Sequence, residues 1–194
     1  MLGIILCGGQ SLRMGNDKGL LKQDAKYWAT IAAGKLTCFD IPVKFSVNKE
    51  QYPVYATVFS PNDLIKDNLS VDAKGPLLGL LSCHLLYPGE DLFVLACDML
   101  MMDSSIPGLL LKHYKENPGA EAYFFMNEKE PEPLCCIYTA GGLSVILRML
   151  KKGELEKFSM KFILDQLTKK SIALQDNEKI YFSNFNTHAD LNGL

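Results

Sequence analysis

The chain has 194 residues, 48% hydrophobic and 22% charged, with a formal net charge of −2 at pH 7. That is the composition of an ordinary folded protein long enough for one sizeable core, and its charge excludes a general electrostatic binder of nucleic acid or anionic membrane. No apolar stretch reaches the length of a bilayer span, and the N-terminal apolar run stops at Gly8 without the ordered regions of a signal peptide, so a cytoplasmic protein with no membrane partner is expected.

In chain order, residues 3–7 read as a buried strand that ends at the pair Gly8-Gly9. A polar loop holding Arg13 and Lys18 follows, and apolar residues at helical spacing predict a helix over 18–37. Strands are expected at 43–47 and 54–59. A loop rich in Asp and Asn then crosses to Gly75-Pro76, which opens an apolar helix ending near Tyr87. Residues 92–96 are almost continuously hydrophobic, as a parallel strand buried on both faces should be. A helix over 105–116 precedes a strand at 120–125. Pro131-Glu132-Pro133 breaks the chain before a strand at 134–138. Helices at 143–151 and 160–167, two short strands near Ile172 and Tyr181, and a last helix opened by the capping box Thr187-His188-Ala189-Asp190 complete the reading. Apolar runs alternating with helical patterns predict an α/β fold with a mostly parallel sheet. With no repeats or linkers, a single domain spanning 1–194 is expected.

The six cysteines (Cys7, Cys38, Cys83, Cys97, Cys135, Cys136) contain no C-x-x-C pair, and most lie in apolar runs where free cysteine acts as a small hydrophobe. With His84, His113 and His188 scattered, no zinc constellation arises. The chemistry concentrates elsewhere. Strand, glycine turn, cationic loop and helix together suit a phosphate: glycines let backbone N–H groups approach the anion, the helix N-terminus favours negative charge, and Arg13 and Lys18 add full positive charge. The segment is neither a P-loop, because Gly15 is followed by Asn16-Asp17-Lys18-Gly19, nor a G-x-G-x-x-G dinucleotide turn. Asp98 closes the 92–96 run, at the strand end where open α/β sheets bind ligands. A carboxylate there can hold Mg²⁺ alongside substrate phosphates, or serve as a helix cap or turn former. Gly75 permits close backbone approach, and Asn48 at a strand end is either a turn residue or a ligand contact.

The pattern L-x-G-G-x-S-x-R-M-G-x-D-K over residues 6–18 resembles the signature loop of sugar-nucleotide pyrophosphorylase-like nucleotidyltransferases, and its R-M-G-x-D-K ending resembles the molybdenum cofactor guanylyltransferase family. Further segments resemble that family in order: Val47-Asn48, Gly75-Pro76-Leu77-Leu78-Gly79-Leu80, Cys97-Asp98, Glu132-Pro133-Leu134 with Tyr138, and Phe182-Ser183-Asn184-Phe185-Asn186-Thr187. The chain departs from the family at Leu100 and His188, each where proline is usual, and at Ala25-Lys26-Tyr27-Trp28, where a Gly-Lys turn followed by Pro-Leu is usual.

The resemblance implies a three-layer, Rossmann-like sheet of the nucleotide-diphospho-sugar transferase type, with the nucleotide side mainly in 1–100 and the acceptor side mainly in 101–194. It implies an Mg²⁺-dependent enzyme that transfers GMP from GTP to the phosphate of Mo-molybdopterin, giving the guanine dinucleotide cofactor and pyrophosphate. Residue by residue, it assigns Leu6, Gly8, Gly9, Lys18, Asn48, Asp67, Gly75 and Asp98 to the nucleotide, with Asp63 and Asp72 as rivals to Asp67. Arg13, Lys18 and Asp98 would act in catalysis, with Asp98 the metal ligand. Pro133, Leu134, Tyr138, Asn184 and Asn186 would face the molybdopterin-type acceptor, although capping explains these asparagines equally. Molybdenum-inserting and cofactor-receiving proteins are implied as partners. Two alternatives stay open: a sister transferase using CTP on the same pterin or acting on a sugar or alditol phosphate, and a non-catalytic nucleotide-binding or cofactor-delivery module.

Overall fold

The computed structural model describes residues 1–8 and 17–182. Its centre is a seven-stranded sheet in the order β5-β4-β1-β6-β8-β7-β9, where β1 is Leu2–Leu6, β4 Val43–Val47, β5 Leu64–Lys66, β6 Leu92–Ala96, β7 Ala122–Asn127, β8 Glu130–Tyr138 and β9 Lys169–Ala173. The pairs β5–β4, β4–β1, β1–β6 and β7–β9 are parallel, while β8 runs antiparallel to both β6 and β7. The expected α/β fold with a mostly parallel sheet is therefore observed.

Alternate residues of β1 and β6 enter different cores, which is why both strands read as unbroken apolar runs. Ile5, Phe93 and Leu95 join α1 (Trp28–Thr37) and α4 (Ser105–Glu116) on one face. Leu2, Ile4, Leu6, Leu92 and Val94 join α3 (Pro76–Leu86), α5 (Ala140–Lys151) and α6 (Met160–Asp165) on the other. Three layers result, helices on both faces of one sheet. All six cysteines are free thiols and five are buried, and among the described residues no helix is long and apolar enough to cross a membrane.

Four expectations need correction. The helix expected over 18–37 starts only at Trp28. Before it come a single 3-10 turn (Lys18–Leu20) and a two-stranded hairpin of β2 (Lys22–Gln23) and β3 (Lys26–Tyr27). The hairpin turn places Asp24 at φ 48° and Ala25 at φ 64°, the backbone of a two-residue type I′ turn. The strand expected at 54–59 is instead α2 (Tyr52–Tyr55) and the turns that follow it. Pro53 fits the first helical turn, and Tyr55 and Phe59 stack four residues apart with ring centroids at 5.6 Å. The strand itself is β5, three residues long and bounded by polar loops.

The break expected at Pro131-Glu132-Pro133 is part of one nine-residue strand. Pairing of β8 with β6 begins only at Cys135, so neither proline lacks a hydrogen bond that β6 would have asked for. Tyr181 lies in a 3-10 turn (Lys179–Phe182), with Phe182 against Phe125 at 5.3 Å. The last helix expected from Thr187 lies outside the described residues.

Candidate active site

The C-terminal ends of β5, β4, β1 and β6 form one edge of the sheet, with Val47 opposite Lys66, Leu6 opposite Ser46 and Leu6 opposite Ala96. Asp67, Asn48, Gly8 and Asp98 each lie just beyond one of these ends. Open α/β sheets offer ligands this edge, because the loops leaving parallel strands are free to shape a crevice there.

Over its β5-β4-β1 part lies a cleft of about 140 Å³ lined by Leu6, Gly8, Ser46, Asn48, Asp67, Gly75, Pro76, Leu78 and Gly79. Gly75 caps α3 with φ 61° and ψ −147°, a conformation essentially confined to glycine, and so turns the start of α3 into the cleft. Gly79 lies so close to β4 that an added Cβ would sit 2.5 Å from Ser46 Oγ. This is the helix N-terminus that can favour an anion. The short 3-10 turn at Lys18 cannot supply the helix dipole expected there.

Of the three rival carboxylates, only Asp67 lines the cleft. Asp63 pairs with Lys44 at 2.9 Å, and Asp72 is exposed. Burial, then the nearby Glu50, raise Asp67 to about 6. Asn48 borders the same cleft, but its Oδ1 accepts the Gln51 N–H at 2.8 Å and its own N–H donates to Gln51 Oε1 at 3.0 Å, which makes it a local turn residue as well.

On the β6 side, Lys18 Nζ meets Asp98 Oδ2 at 2.8 Å, with the two side chains only 16% and 19% exposed. A polar network that sequence reading missed sets Lys18 in place. Asp17 Oδ1 accepts from Gly19 N (3.0 Å) and the Tyr55 hydroxyl (2.8 Å), and its Oδ2 accepts from Gln51 Nε2 (2.5 Å). Gln51 Nε2 also donates to Cys7 O at 2.9 Å, tying this network to the end of β1. Gly19 admits the tyrosine, since a Cβ there would lie 2.1 Å from its hydroxyl. Burial foremost, then Cys7 and Asp17, keep the Tyr55 phenol protonated. The Asp-x-Gly spacing at 17–19 signals such a turn, but no sequence signal marks Gln51 or Tyr55.

Lys35 was also missed. Buried in α1, it donates to Met99 O at 2.5 Å and Leu100 O at 3.2 Å, on the loop that carries Asp98. Burial pushes its ammonium down to about 8, opposed by Cys135 and Asp103. The Cys97 thiol, next to Asp98, is held well above its ordinary range by its hydrogen bond with Cys7 and by burial, so it is no nucleophile.

The acceptor-side residues are less uniform. β8 brings Pro133 and Leu134 to the same sheet edge, Pro133 buried and Leu134 half-buried between both cores. Tyr138 corrects its expectation: it is fully buried and its hydroxyl donates to Pro133 O at 3.1 Å, so it supports the strand and cannot face an acceptor. Gly9, Arg13, Asn184 and Asn186 lie outside the described residues.

Among the described residues no group of three or more His, Cys, Asp or Glu side chains could hold a metal. Among the described residues, Asp98 is a hard oxygen donor beside Lys18 at this sheet edge. That fits Mg²⁺, which commonly takes one or two protein carboxylates and completes its shell from substrate phosphates and water.

Residues 3–169 match the model of the MobA-like NTP transferase domain. The chain is 27% identical over 153 residues to the molybdenum cofactor biosynthesis bifunctional protein of Synechocystis, covering 79% of this chain but only 43% of that longer protein. It is 26% identical over 190 residues to a probable molybdenum cofactor guanylyltransferase of Flavobacterium johnsoniae, covering 98% and 94% of the two chains. A solved structure of molybdopterin-guanine dinucleotide biosynthesis protein A from Archaeoglobus fulgidus shares the fold with a TM-score of 0.80 at 21% identity, over 100% of this chain and 96% of that one.

Proposed function

The chain belongs to the MobA-like NTP transferase family, and from that premise we propose that it transfers GMP from GTP to the phosphate of a molybdopterin-type acceptor. An acceptor phosphate oxygen attacks the α-phosphorus of GTP, the bond from that phosphorus to the β-phosphate oxygen breaks, and pyrophosphate leaves. The nucleophile arrives ionised at neutral pH, so the reaction asks for position and charge compensation rather than a covalent group on the protein.

The observation that carries this reading is the Lys18–Asp98 pair set beside a glycine-bounded cleft at the C-terminal edge of the sheet. Leu6, Gly8 and Gly75 let the nucleotide approach backbone closely, and the start of α3 favours its phosphates. Asp67 and Asn48 border the part of the cleft that would take base or ribose. Lys18 offsets charge on the phosphates and on the departing pyrophosphate, a role in which preorganised charge is worth more than in water. Asp98 would hold Mg²⁺, which when bound neutralises phosphate charge. Cytoplasmic location and exchange of the product with molybdenum-inserting or cofactor-receiving proteins belong to the same proposal.

The test is pyrophosphate release with Mg²⁺ and molybdenum-loaded molybdopterin, offering GTP, CTP, UTP and ATP in turn. Turnover with GTP that requires the pterin is the expected result. Turnover with CTP instead would move the chain to pterin cytidylyl transfer. Silence with all four nucleotides, with GTP–Mg²⁺ still binding by calorimetry, would overturn the reading in favour of another phosphate acceptor or a binding module.

A further inference from the structure

Asp98 rides on the loop of residues 97–104 between β6 and α4, and that loop contains neither proline nor glycine. The backbone bond that turns it away from β6, from Met99 N to Ala96 O, is long, at 3.5 Å. Cys97 N donates to Leu6 O at 3.2 Å and Met99 and Met102 are buried in the core, and a further restraint comes from α1. At the last turn of that helix, Lys35 sends its buried ammonium into two loop carbonyls, those of Met99 and Leu100. At the first turn, Trp28 is fully buried against Leu100 and Met101 of the loop and against Leu21. Leu21 closes the 3-10 turn bearing Lys18, through Leu21 N to Lys18 O at 3.1 Å, and its own carbonyl accepts the Trp28 N–H at 2.9 Å.

Resting on the nucleotidyl-transfer reading, we propose that Lys35 and Trp28 are positioning residues that hold the Asp98 loop against the Lys18 turn, so that the carboxylate meets a phosphate-bound cation in one fixed place. A packing role alone would not select lysine. Burying an ammonium is costly unless it is hydrogen-bonded, and methionine would fill the same space without that cost. Here the bonds go to carbonyls of the Asp98 loop, at a helix C-terminus that further favours a cation. Trp28 likewise accepts a cost, since its indole N–H has no partner among the described residues. What that ring gains is simultaneous contact with both halves of the site.

The experiment compares wild type with Lys35→Met and Lys35→Arg by hydrogen–deuterium exchange, Mn²⁺ binding with GTP present, and steady-state kinetics. Trp28 is the sole tryptophan of the chain, so its emission reports the same contact without a label. For Lys35→Met the expected result is about tenfold faster exchange confined to residues 98–102 and about tenfold weaker Mn²⁺ binding. A red shift of the Trp28 emission and a fall in kcat with the KM for GTP little changed complete the expected pattern. Lys35→Arg should restore a large part of each. Exchange that rises evenly over the sheet and α1, or a loop and Mn²⁺ affinity unchanged in Lys35→Met, would overturn the proposal.

Should Lys35→Met fail to fold, Leu100→Ala removes the contact with Trp28 from the loop side. It is expected to give the same confined exchange and red shift, and their absence would overturn the proposal. Exchange and emission do not depend on turnover. A wild type inactive with every nucleotide would therefore sink the reaction reading, while these two readouts still decide whether the brace exists.

Discussion

The two charged arms of the site are held by opposite means. Lys18 stands on a turn fixed by a polar network in which Asp17 gathers Gly19, Gln51 and Tyr55. Asp98 stands on a loop with little internal bonding, packed on Trp28 and tied through two carbonyls to a buried lysine. A network of directional bonds to a charged group sets one geometry but depends on every partner, whereas packing distributes its restraint over many weak contacts. Losing one atom should therefore disturb the Lys18 arm more than a comparable loss disturbs the packing of the other.

The largest effects are expected from removing the charges themselves. Asp98→Ala and Lys18→Ala should each lower turnover by about 10²- to 10³-fold with folding intact, as loss of a preorganised charge does at other transfer sites. Lys18→Ala leaves Asp98 in a part-buried place without the ammonium it meets, and the two side chains are in direct contact, so the double variant should be closer in stability to wild type than the two single changes would sum to. Steady-state rates and thermal unfolding read both points. Unchanged turnover in either single variant would remove that residue from the mechanism.

Tyr55→Phe comes next, because it deletes one hydroxyl from the network and keeps the ring in its stack with Phe59. A hydrogen bond to a charged acceptor contributes about 1.5–3 kcal/mol. Misplacing Lys18 by that loss should lower kcat by roughly tenfold, since about 1.4 kcal/mol corresponds to one decade. Equal kcat in both proteins would show that the Lys18 turn holds its geometry without Tyr55.

What could be read from the sequence follows the same division. β1, β6 and the start of α3 were legible because strands buried on both faces are continuously apolar and Gly-Pro marks a helix start, and β4 because Val43, Phe45 and Val47 alternate with Lys44 and Ser46. Gly8, Asn48 and Asp98 could be placed at the sheet edge because each follows a strand that was legible, whereas Asp67 was assigned by the resemblance alone. β5 was not legible: three residues, Leu64 to Lys66, carry no period, and the more apolar stretch upstream took its place. Gln51, Tyr55 and Lys35 were invisible because the site partners they hold lie 34 to 65 residues away in the chain, and only the folded sheet brings them together. Tyr138 failed in the opposite direction. A motif position suggested a ligand contact, but burial of the whole side chain left its hydroxyl only the backbone of Pro133.

A smaller effect separates the nucleotide cleft from both arms. With Asp67 raised from 3.8 to about 6 in the folded chain, the native state binds the proton more tightly than the unfolded state. The contribution of this group to stability is therefore fully present below about pH 4 and is lost as pH rises through about 6. Asp67→Asn removes that dependence, so the difference in Tm between variant and wild type should move in the variant's favour between pH 4 and 7. If the ionised carboxylate receives the nucleotide's donors, GTP affinity of the wild type should fall as pH drops below about 6, and the Asn variant should be flat. Parallel pH profiles of Tm would show that burial does not perturb Asp67.

The smallest effect tests the connector between the arms. The β2–β3 hairpin runs from the Lys18 turn to Trp28, and its turn puts Ala25 at φ 64°. A side chain in this left-handed region costs roughly 1–2 kcal/mol that glycine avoids, while glycine loses about 0.5–1 kcal/mol through its freer unfolded chain. Ala25→Gly should thus raise stability by a few tenths to about 1 kcal/mol, read by denaturant unfolding at unchanged slope. Ala25 is exposed and outside both the Asp17 network and the Trp28 contact, so kcat and the KM for GTP should stay at wild-type values. A gain in stability with altered kcat would mean that strain in this turn is transmitted to the arms, which would make the hairpin part of the site rather than a link between its halves.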